Sequence, residues 1–383
     1  MSWLPLPVWI PSSLLALLVL EWWATRSRLR HLARLPEGIP LREWPSVCLC
    51  IPARNEVLEI GPALDAWLAQ DYPHLRILVI DDGSTDGTSE LLAERATACA
   101  ERLRVIRNDH LPEGWLGKNH ALHLASIQPE ARIADWLLFV DADVRTTPDL
   151  LRRAMVHLDD RPADLLTLIA AVESVTIAER IFLPPALLQF LWFTPPGRVA
   201  DPHSPFFCGT GGFTLLRRKV YDAVGGHAEA PLEAIDDMRL AQRIKRAGFL
   251  NRMAQGGPEL RLRMYHGLPE ILRAMRKNVL GVAYVWTLAP LMVLLILLLY
   301  LSPLWLALGG WPGVGLALWV LVPVMIGDAY QQITGSPMDW IWIFWPLAGL
   351  MAAAGMTWAF LDRLRGVNHW RGRDVKLKAK NEP

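Results

Sequence analysis

Hydrophobic and polar positions divide the chain into three zones. Near the start, residues 8–24 run Val-Trp-Ile-Pro-Ser-Ser-Leu-Leu-Ala-Leu-Leu-Val-Leu-Glu-Trp-Trp-Ala, and Arg26, Arg28, Arg30 and Arg34 follow. From Ser46 to about Arg263, short apolar runs alternate with mixed segments. Ser46–Ile51, Leu75–Ile80, Leu103–Ile106 and Trp136–Val140 are apolar runs bounded by turn residues, the pattern of buried strands. Glu56–Gln70, Thr88–Cys99 and Gly117–Ser126 read as the helices between them. This alternation predicts an α/β domain built on a parallel sheet with helices on both faces. From about Leu280 the chain turns apolar again, in blocks at 283–308, 313–327 and 340–361. Gly309-Gly310-Trp311-Pro312 and Asp328–Asp339 separate the blocks.

The outer zones read as membrane segments. A secretory signal carries its positive charge ahead of the apolar run, whereas here the arginines come after it. The first stretch therefore predicts an anchor whose carboxyl end stays cytoplasmic. It is short and contains Glu21, which leaves a tilted or partly interfacial helix open. Pro36, Gly38, Pro40 and Pro45 mark a linker. The first and third late blocks are long enough to span a bilayer and the middle one is marginal. The basic tail, with Arg363, Arg365, Arg371, Arg373, Lys376, Lys378 and Lys380, also belongs on the cytoplasmic side. One anchor plus three full spans would place it outside, so the middle block is expected to be re-entrant or interfacial. Just before the blocks, Pro269–Val282 sets Ile271, Leu272, Met275, Val279 and Leu280 against Arg273, Arg276 and Lys277, the pattern of a helix lying at the bilayer surface.

Composition agrees with this layout. Hydrophobic residues make up 52% of the 383, mean hydropathy is +0.23, and there are 18 Trp, a residue that favours membrane–water interfaces. A net charge of +1 gives no footing for a nucleic-acid partner. Of the four cysteines, Cys48 and Cys50 lie two apart in a strand. No second Cys or His pair completes a zinc spacing, so buried free thiols are expected.

Candidate chemistry collects where strands end, the place where open α/β sheets bind ligands. Ile51-Pro52-Ala53-Arg54-Asn55-Glu56 ends a strand in a turn that opens a helix, whose amino terminus offers free N–H donors; capping by Asn55 is the alternative. Asp81-Asp82-Gly83-Ser84-Thr85-Asp86-Gly87 places two carboxylates at a strand end, able to accept from a nucleobase N–H or a ribose hydroxyl. An Asp/Ser/Gly turn that merely caps the next helix is the other reading. Asp141-Ala142-Asp143 follows a buried strand; in an extended segment residues i and i+2 face the same way, so both carboxylates can address one Mg²⁺ or Mn²⁺. Asp236-Asp237 opens an apparent helix running to Gly248, where acidic residues also suit the helix dipole. Cys208-Gly209-Thr210-Gly211-Gly212-Phe213 allows a close backbone approach to a ligand, or is a plain turn. Pro184-Pro185 and Thr194-Pro195-Pro196-Gly197, flanking Ala186–Phe193, are expected to form a loop, either acceptor-side or simply packed at the interface.

Taken in order, these pieces resemble the family 2 glycosyltransferases of GT-A fold over about residues 46–280. The Asp-Asp-Gly-Ser-Thr-Asp-Gly-Thr signature stands at Asp81–Thr88, a Gly-Lys-x-x-Ala element at Gly117–Ala121, Asp-x-Asp at Asp141–Asp143, and the acidic base motif at Asp236-Asp237. By that resemblance Pro52, Ala53, Glu56 and Asp82, with Asp81 beside them, hold the nucleoside of a nucleotide-diphospho-sugar. Lys118 sits near the nucleotide, Asp141 and Asp143 bind ribose and the metal-held diphosphate, and Asp237 is the general base. Arg276 is a candidate for the diphosphate, with membrane-surface anchoring as its alternative.

The processive members of the family carry Gln-x-x-Arg-Trp after the base, and no such sequence occurs here. That argues for transfer of a single sugar to a lipid, and the layout resembles bacterial enzymes acting on hopanoid, carotenoid or polyprenoid acceptors. A polymer synthase and an inactive membrane scaffold are the competing readings. The expected plan is an anchor at 1–25, a GT-A domain at 46–265, an interfacial helix at 266–282, membrane helices at 283–361 and a basic tail at 362–383. The enzyme is expected at the inner membrane with its catalytic domain in the cytoplasm.

Overall fold

The computed structural model describes residues 7–37, 43–281, 288–365, 369–370 and 373–374. The side chains of 277–281, including Lys277, and most of the basic tail lie outside the described residues. The chain opens with α1 (Trp9–Arg30) and the short β1 (Ala33–Arg34). The first half of the α/β domain follows as β2 (Val47–Ala53), α2 (Ile60–Leu68), β3 (Leu75–Asp81), α3 (Thr88–Ala98), β4 (Leu103–Arg107), α4 (Gly117–Ser126), α5 (Pro129–Ile133) and β5 (Trp136–Phe139). Then come β6 (Arg145–Thr146), α6 (Leu150–Asp160), β7 (Leu165–Val172), α7 (Ile177–Phe193), α8 (Pro196–Ala200), β8 (Thr214–Arg217), α9 (Arg218–Ala223), α10 (Asp236–Arg246) and β9 (Asn251–Leu262). The chain continues into α11 (Leu268–Gly281), α12 (Ala289–Tyr300), α13 (Ser302–Leu308), α14 (Pro312–Thr334) and α15 (Trp345–Leu364).

The sheet runs β1-β9-β7-β8-β5-β2-β3-β4, with β6 on β9. The expected parallel pairing holds for β2 with β3 and β5, for β3 with β4, and for β7 with β9. β8 runs antiparallel to both β5 and β7, so the sheet is mixed. A strand's direction follows from where its connection enters the sheet, and an apolar run such as Phe213–Leu216 carries no trace of that. Alternation along β2 does what period two requires: Val47, Leu49 and Ile51 pack in one cluster and Cys48 and Cys50 in the other. All four cysteines are free, with Cys48, Cys50 and Cys208 buried and Cys99 half-exposed.

Two local expectations are corrected. The helix expected from Glu56 starts at Ile60, because Asn55 adopts a left-handed φ of 54° and the Glu56 N–H donates to Thr88 Oγ1 at 2.9 Å. Asn55 does not cap it; its Oδ1 accepts from the Thr85 N–H at 2.8 Å. The expected loop around Pro184-Pro185 is instead inside the 17-residue α7. A capping box of Thr176 and Glu179 starts that helix firmly enough to carry two internal prolines.

The membrane zone differs more. Among the described residues, the helices long and apolar enough to cross a bilayer are Pro312–Thr334 and Trp340–Leu364, with the bent pair α12 and α13 a third if it forms one span, and α1 is not among them. The middle block, expected to be re-entrant or interfacial, is one continuous 23-residue helix, which corrects the re-entrant reading. The interruption falls in the first block, where α12 and α13 meet at 65° just before Pro303, which cannot donate to the preceding turn. In sequence Asp328 looked like the end of the middle block. In the fold its carboxylate accepts from Arg26 Nε at 3.0 Å and Trp22 Nε1 at 3.3 Å, so a partner on α1 lets the helix run on.

Candidate active site

The first acidic turn sits where β3 ends beside β2, with Asp81 opposite Ala53 and the Asp82 N–H donating to the Ala53 carbonyl at 2.8 Å. Gly83 and Gly87 have φ of +69° and +97°, which the turn requires and a side chain would resist. Asp81 is buried and fully engaged: it accepts from the Ser84 N–H at 3.0 Å and Ser89 Oγ at 2.5 Å, with Arg107 at 3.6 Å. Asp86 in the same way holds the Thr88 N–H and hydroxyl and the Val57 N–H. For these two residues the turn-building reading describes what they do. Asp82 differs, because its partners Asn108 (3.0 Å) and Arg54 (3.4 Å) come from outside the turn. Arg54, Asn108 and His120, which lies 3.3 Å from Asn108, are neighbours of Asp82 that sequence reasoning did not pick out.

The second centre joins four segments distant in sequence. The Asp141 N–H donates to the Gly211 carbonyl at 2.7 Å, which docks the end of β5 against the Gly209–Gly212 run. Lys118, in the first turn of α4, lies 2.8 Å from Asp141 Oδ1 and 3.4 Å from Asp236 Oδ1. Asp236 and Asp237 open α10, and Asp237 Oδ1 accepts from the Met238 N–H at 2.7 Å. Lys118, Asp141, Thr210, Gly211, Asp236 and Asp237 line one crevice over Leu122, Phe139, His227 and Leu240. The glycines are required by packing within the protein: a Cβ on Gly211 would fall 2.1 Å from Asp141 Oδ2, and one on Gly209 2.2 Å from the Asp237 carbonyl oxygen. The run of glycines was the signal for this role.

The premise that Asp141–Asp143 is extended does not hold. The Val144 N–H reaches the Asp141 carbonyl at 3.4 Å and the segment turns. The two carboxylates are still close enough to repel. Burial first, then Asp141, then Glu56 and Glu59 push the Asp143 carboxyl up to about 7. Burial and Asp236 push Asp237 up to about 6 against the pull of Lys118. Burial draws the Lys118 amine down, but Asp141, Asp236 and Asp237 outweigh it and hold the ammonium well above its usual range. Burial, aided by Lys118 and Arg243, drops His227 to about 3, so it lies neutral beneath the crevice.

A divalent cation fits this donor set. Asp143 and Asp141 offer hard oxygen ligands in a half-buried place with an excess of negative charge, which a cation relieves. Among the described residues no group of three His, Cys, Asp or Glu forms a protein-only cage. Mg²⁺-type sites commonly take one or two carboxylates and complete their sphere from substrate phosphates.

Arg276 is not brought to this centre by the contacts it makes. Its guanidinium pairs with Asp362 on α15 and stacks over Trp358 at 5.1 Å, so its charge is committed to joining α11 to α15. These contacts are on the side of its anchoring alternative and include no residue of the crevice. The sequence pattern showed a cation on an amphipathic helix and could not show the buried carboxylate opposite it.

Comparison with known proteins agrees with the geometry. The family model described as Glycosyl transferase family 2 matches residues 48–225. The chain carries a family 2 glycosyltransferase domain. Beta-monoglucosyldiacylglycerol synthase from Synechocystis sp. is 28% identical over 203 residues, 52% of this chain and 40% of that protein. The 4,4'-diaponeurosporenoate glycosyltransferase of Staphylococcus haemolyticus is 30% identical over 112 residues, 29% of this chain and 28% of its own length. The chain therefore spans less than half the length of either relative. The mannosyltransferase PcManGT from Pyrobaculum calidifontis, solved with GDP-Man and Mn²⁺, matches with a TM-score of 0.56 at 18% identity, covering 91% of this chain and 96% of that one. At that identity the likeness is one of fold, and the fold of the domain is GT-A-like.

Proposed function

We propose that this enzyme is an inverting, metal-dependent glycosyltransferase that moves one sugar from a nucleotide-diphospho-sugar to a hydroxyl of a membrane lipid. The observation that carries the reading is the crevice lined by both Asp141 and Asp237, far apart in sequence, with Lys118 pairing Asp141 to Asp236 beside them. Asp82, with Pro52, Ala53 and Glu56 around it, binds the nucleoside; Asp81 supports that turn from beneath. Asp141 and Asp143 hold Mg²⁺ or Mn²⁺, which when bound offsets charge on the departing diphosphate. The Asp237 carboxylate takes the proton of the acceptor hydroxyl as its oxygen bonds to the anomeric carbon. The bond from that carbon to the diphosphate oxygen breaks, and the nucleoside diphosphate leaves with the electron pair. A carboxyl pushed up to about 6 is a stronger base than an exposed aspartate yet still ionised at neutral pH.

The acceptor assignment draws on the lipid and carotenoid substrates named for the two relatives and on the apolar helices α14 and α15. Donor and cation draw on the GDP-Man and Mn²⁺ named for the solved mannosyltransferase. In the proposed layout α1 anchors the chain, residues 46–265 form the catalytic domain in the cytoplasm, α11 lies at the inner-membrane surface, and the helices of 283–361 hold it there, ahead of a cytoplasmic tail at 362–383. The test is mass spectrometry of total lipids from cells with and without the protein, alongside cells carrying Asp237→Asn. A hexose-sized mass shift on one lipid class, present only with the unaltered protein, is expected. A change confined to extracellular polymer would replace this reading with a polymer synthase.

A further inference from the structure

Lys118 stands in a place that its motif did not announce. Among the described residues lining the crevice it is the only permanent cation, and it faces Asp141 and Asp236 at once. Its position is set by its neighbour. Asn119 is buried, and its Nδ2 lies 3.2, 3.1 and 2.9 Å from the carbonyls of Ala230, Pro231 and Glu233, while the Leu116 N–H donates to the Pro231 carbonyl at 2.9 Å. The start of α4 is thereby fastened to the segment that leads into α10. An ammonium on a flexible stem is held between two acidic motifs by a rigid base.

We infer that Lys118 is an internal counter-ion that competes with the divalent cation for Asp141, so that the nucleotide-free site resists metal and the cation and the nucleotide diphosphate bind cooperatively. The inference rests on the reading that Asp141 and Asp143 hold the cation. Two positive charges cannot share one carboxylate at contact distance without strong mutual repulsion. Without nucleotide, a cation at Asp141 must displace an ammonium whose remaining partner in the crevice is Asp236. A diphosphate supplies new acceptors to which the three N–H donors of Lys118 turn, and Asp141 is released to the cation. Lys118 is in this account a positioning residue as much as a nucleotide ligand, because it makes one ligand's affinity depend on the other's.

The test uses the full-length protein in detergent or nanodiscs and measures Mn²⁺ binding by the electron paramagnetic resonance signal of the free ion. Without nucleotide, Lys118→Met is expected to bind Mn²⁺ roughly tenfold more tightly than the unaltered protein. Lys118→Arg, which keeps the charge, is expected to stay close to it. Adding UDP or GDP should tighten Mn²⁺ binding in the unaltered protein, and do so less in Lys118→Met. Lys118→Gln, which keeps a polar head, takes the place of Lys118→Met should the latter not fold. If the neutral variant binds nucleotide-free Mn²⁺ no more tightly, while the unaltered protein binds Mn²⁺ with either nucleotide, the counter-ion role is overturned and the cation reading stands. If the unaltered protein binds no Mn²⁺ with UDP or with GDP, the cation reading falls and takes the counter-ion with it.

Discussion

Two turns, each following a strand of the same sheet, carry paired aspartates, and the surrounding residues treat them in opposite ways. After β3, Asp81 and Asp86 are engaged by hydroxyls and N–H groups that build the turn, with Ser89, Arg107 and Val57 reaching in from its flanks, whereas Asp82 is held by the side chains of Asn108 and Arg54. After β5, Asp141 and Asp143 repel each other, and Asp141 meets Asp236 of α10 across one ammonium. The first arrangement lowers the energy of the empty fold. The second gathers more carboxylates than cations, which is costly in the empty protein and, in the proposed function, useful once a cation and a diphosphate arrive. Motif likeness does not distinguish the two, because the deciding contacts come from residues outside each motif.

The largest expected effect belongs to the second centre. Asp237→Asn should lower kcat by roughly 10²–10⁴-fold while donor affinity, measured by calorimetry, stays near that of the unaltered enzyme. A small loss of kcat would move the base elsewhere. Next comes Gly211→Ala, whose methyl would sit 2.1 Å from Asp141 Oδ2 and must push that carboxylate aside. About 100-fold in kcat/KM is expected, since a displacement near 1 Å at a reacting centre costs that much. Steady-state kinetics beside a melting curve would separate this from unfolding.

The contrast also sharpens through stability. His157 and His227 are buried and held neutral, at about 4 and about 3. Their folded pKa values lie below the 6.5 of the free side chain, so the unfolded chain binds protons that the fold refuses. The stability this represents is intact above about pH 6.5 and is lost progressively as pH falls toward 4 and 3. By pH 5 each residue should have removed about 2 kcal/mol, read from denaturant midpoints across pH. Asp81→Asn should cost about 1–3 kcal/mol through the hydrogen bonds it weakens, with kcat changed far less than Tm. If instead donor KM rises and Tm holds, Asp81 contacts the nucleotide and the first turn works like the second. The smallest effect is that of Arg276→Met, which should shift donor KM by less than about twofold because its charge is already answered by Asp362. A large KM change would return Arg276 to the diphosphate.

Much of this was legible in the residues. Period-two alternation and turn punctuation marked β2, β3, β4 and β5 to within a residue or two, and the acidic motifs at their ends marked the site. What failed had specific causes. The Glu56 helix start was missed because a left-handed Asn55 and a bond to Thr88 delay it. Asp328 was misread as a block boundary because its partners, Arg26 and Trp22, lie on a helix some three hundred residues earlier. The pairing of Arg276 with Asp362 could not be read either, because Asp362 is likewise remote in sequence.

The local pattern of the chain was enough to specify strands, helix faces and the family of the domain, and to nominate the residue types proposed for its chemistry. These depend on neighbours within a few positions, where periodicity and turn chemistry act. Whether a given carboxylate is satisfied or left exposed to a ligand, which apolar block runs unbroken, and where Lys118 directs its charge depend on groups brought together from distant segments. Electrostatic energy falls off over a few ångströms of space, whatever the distance along the chain, so those answers existed only once the chain was folded.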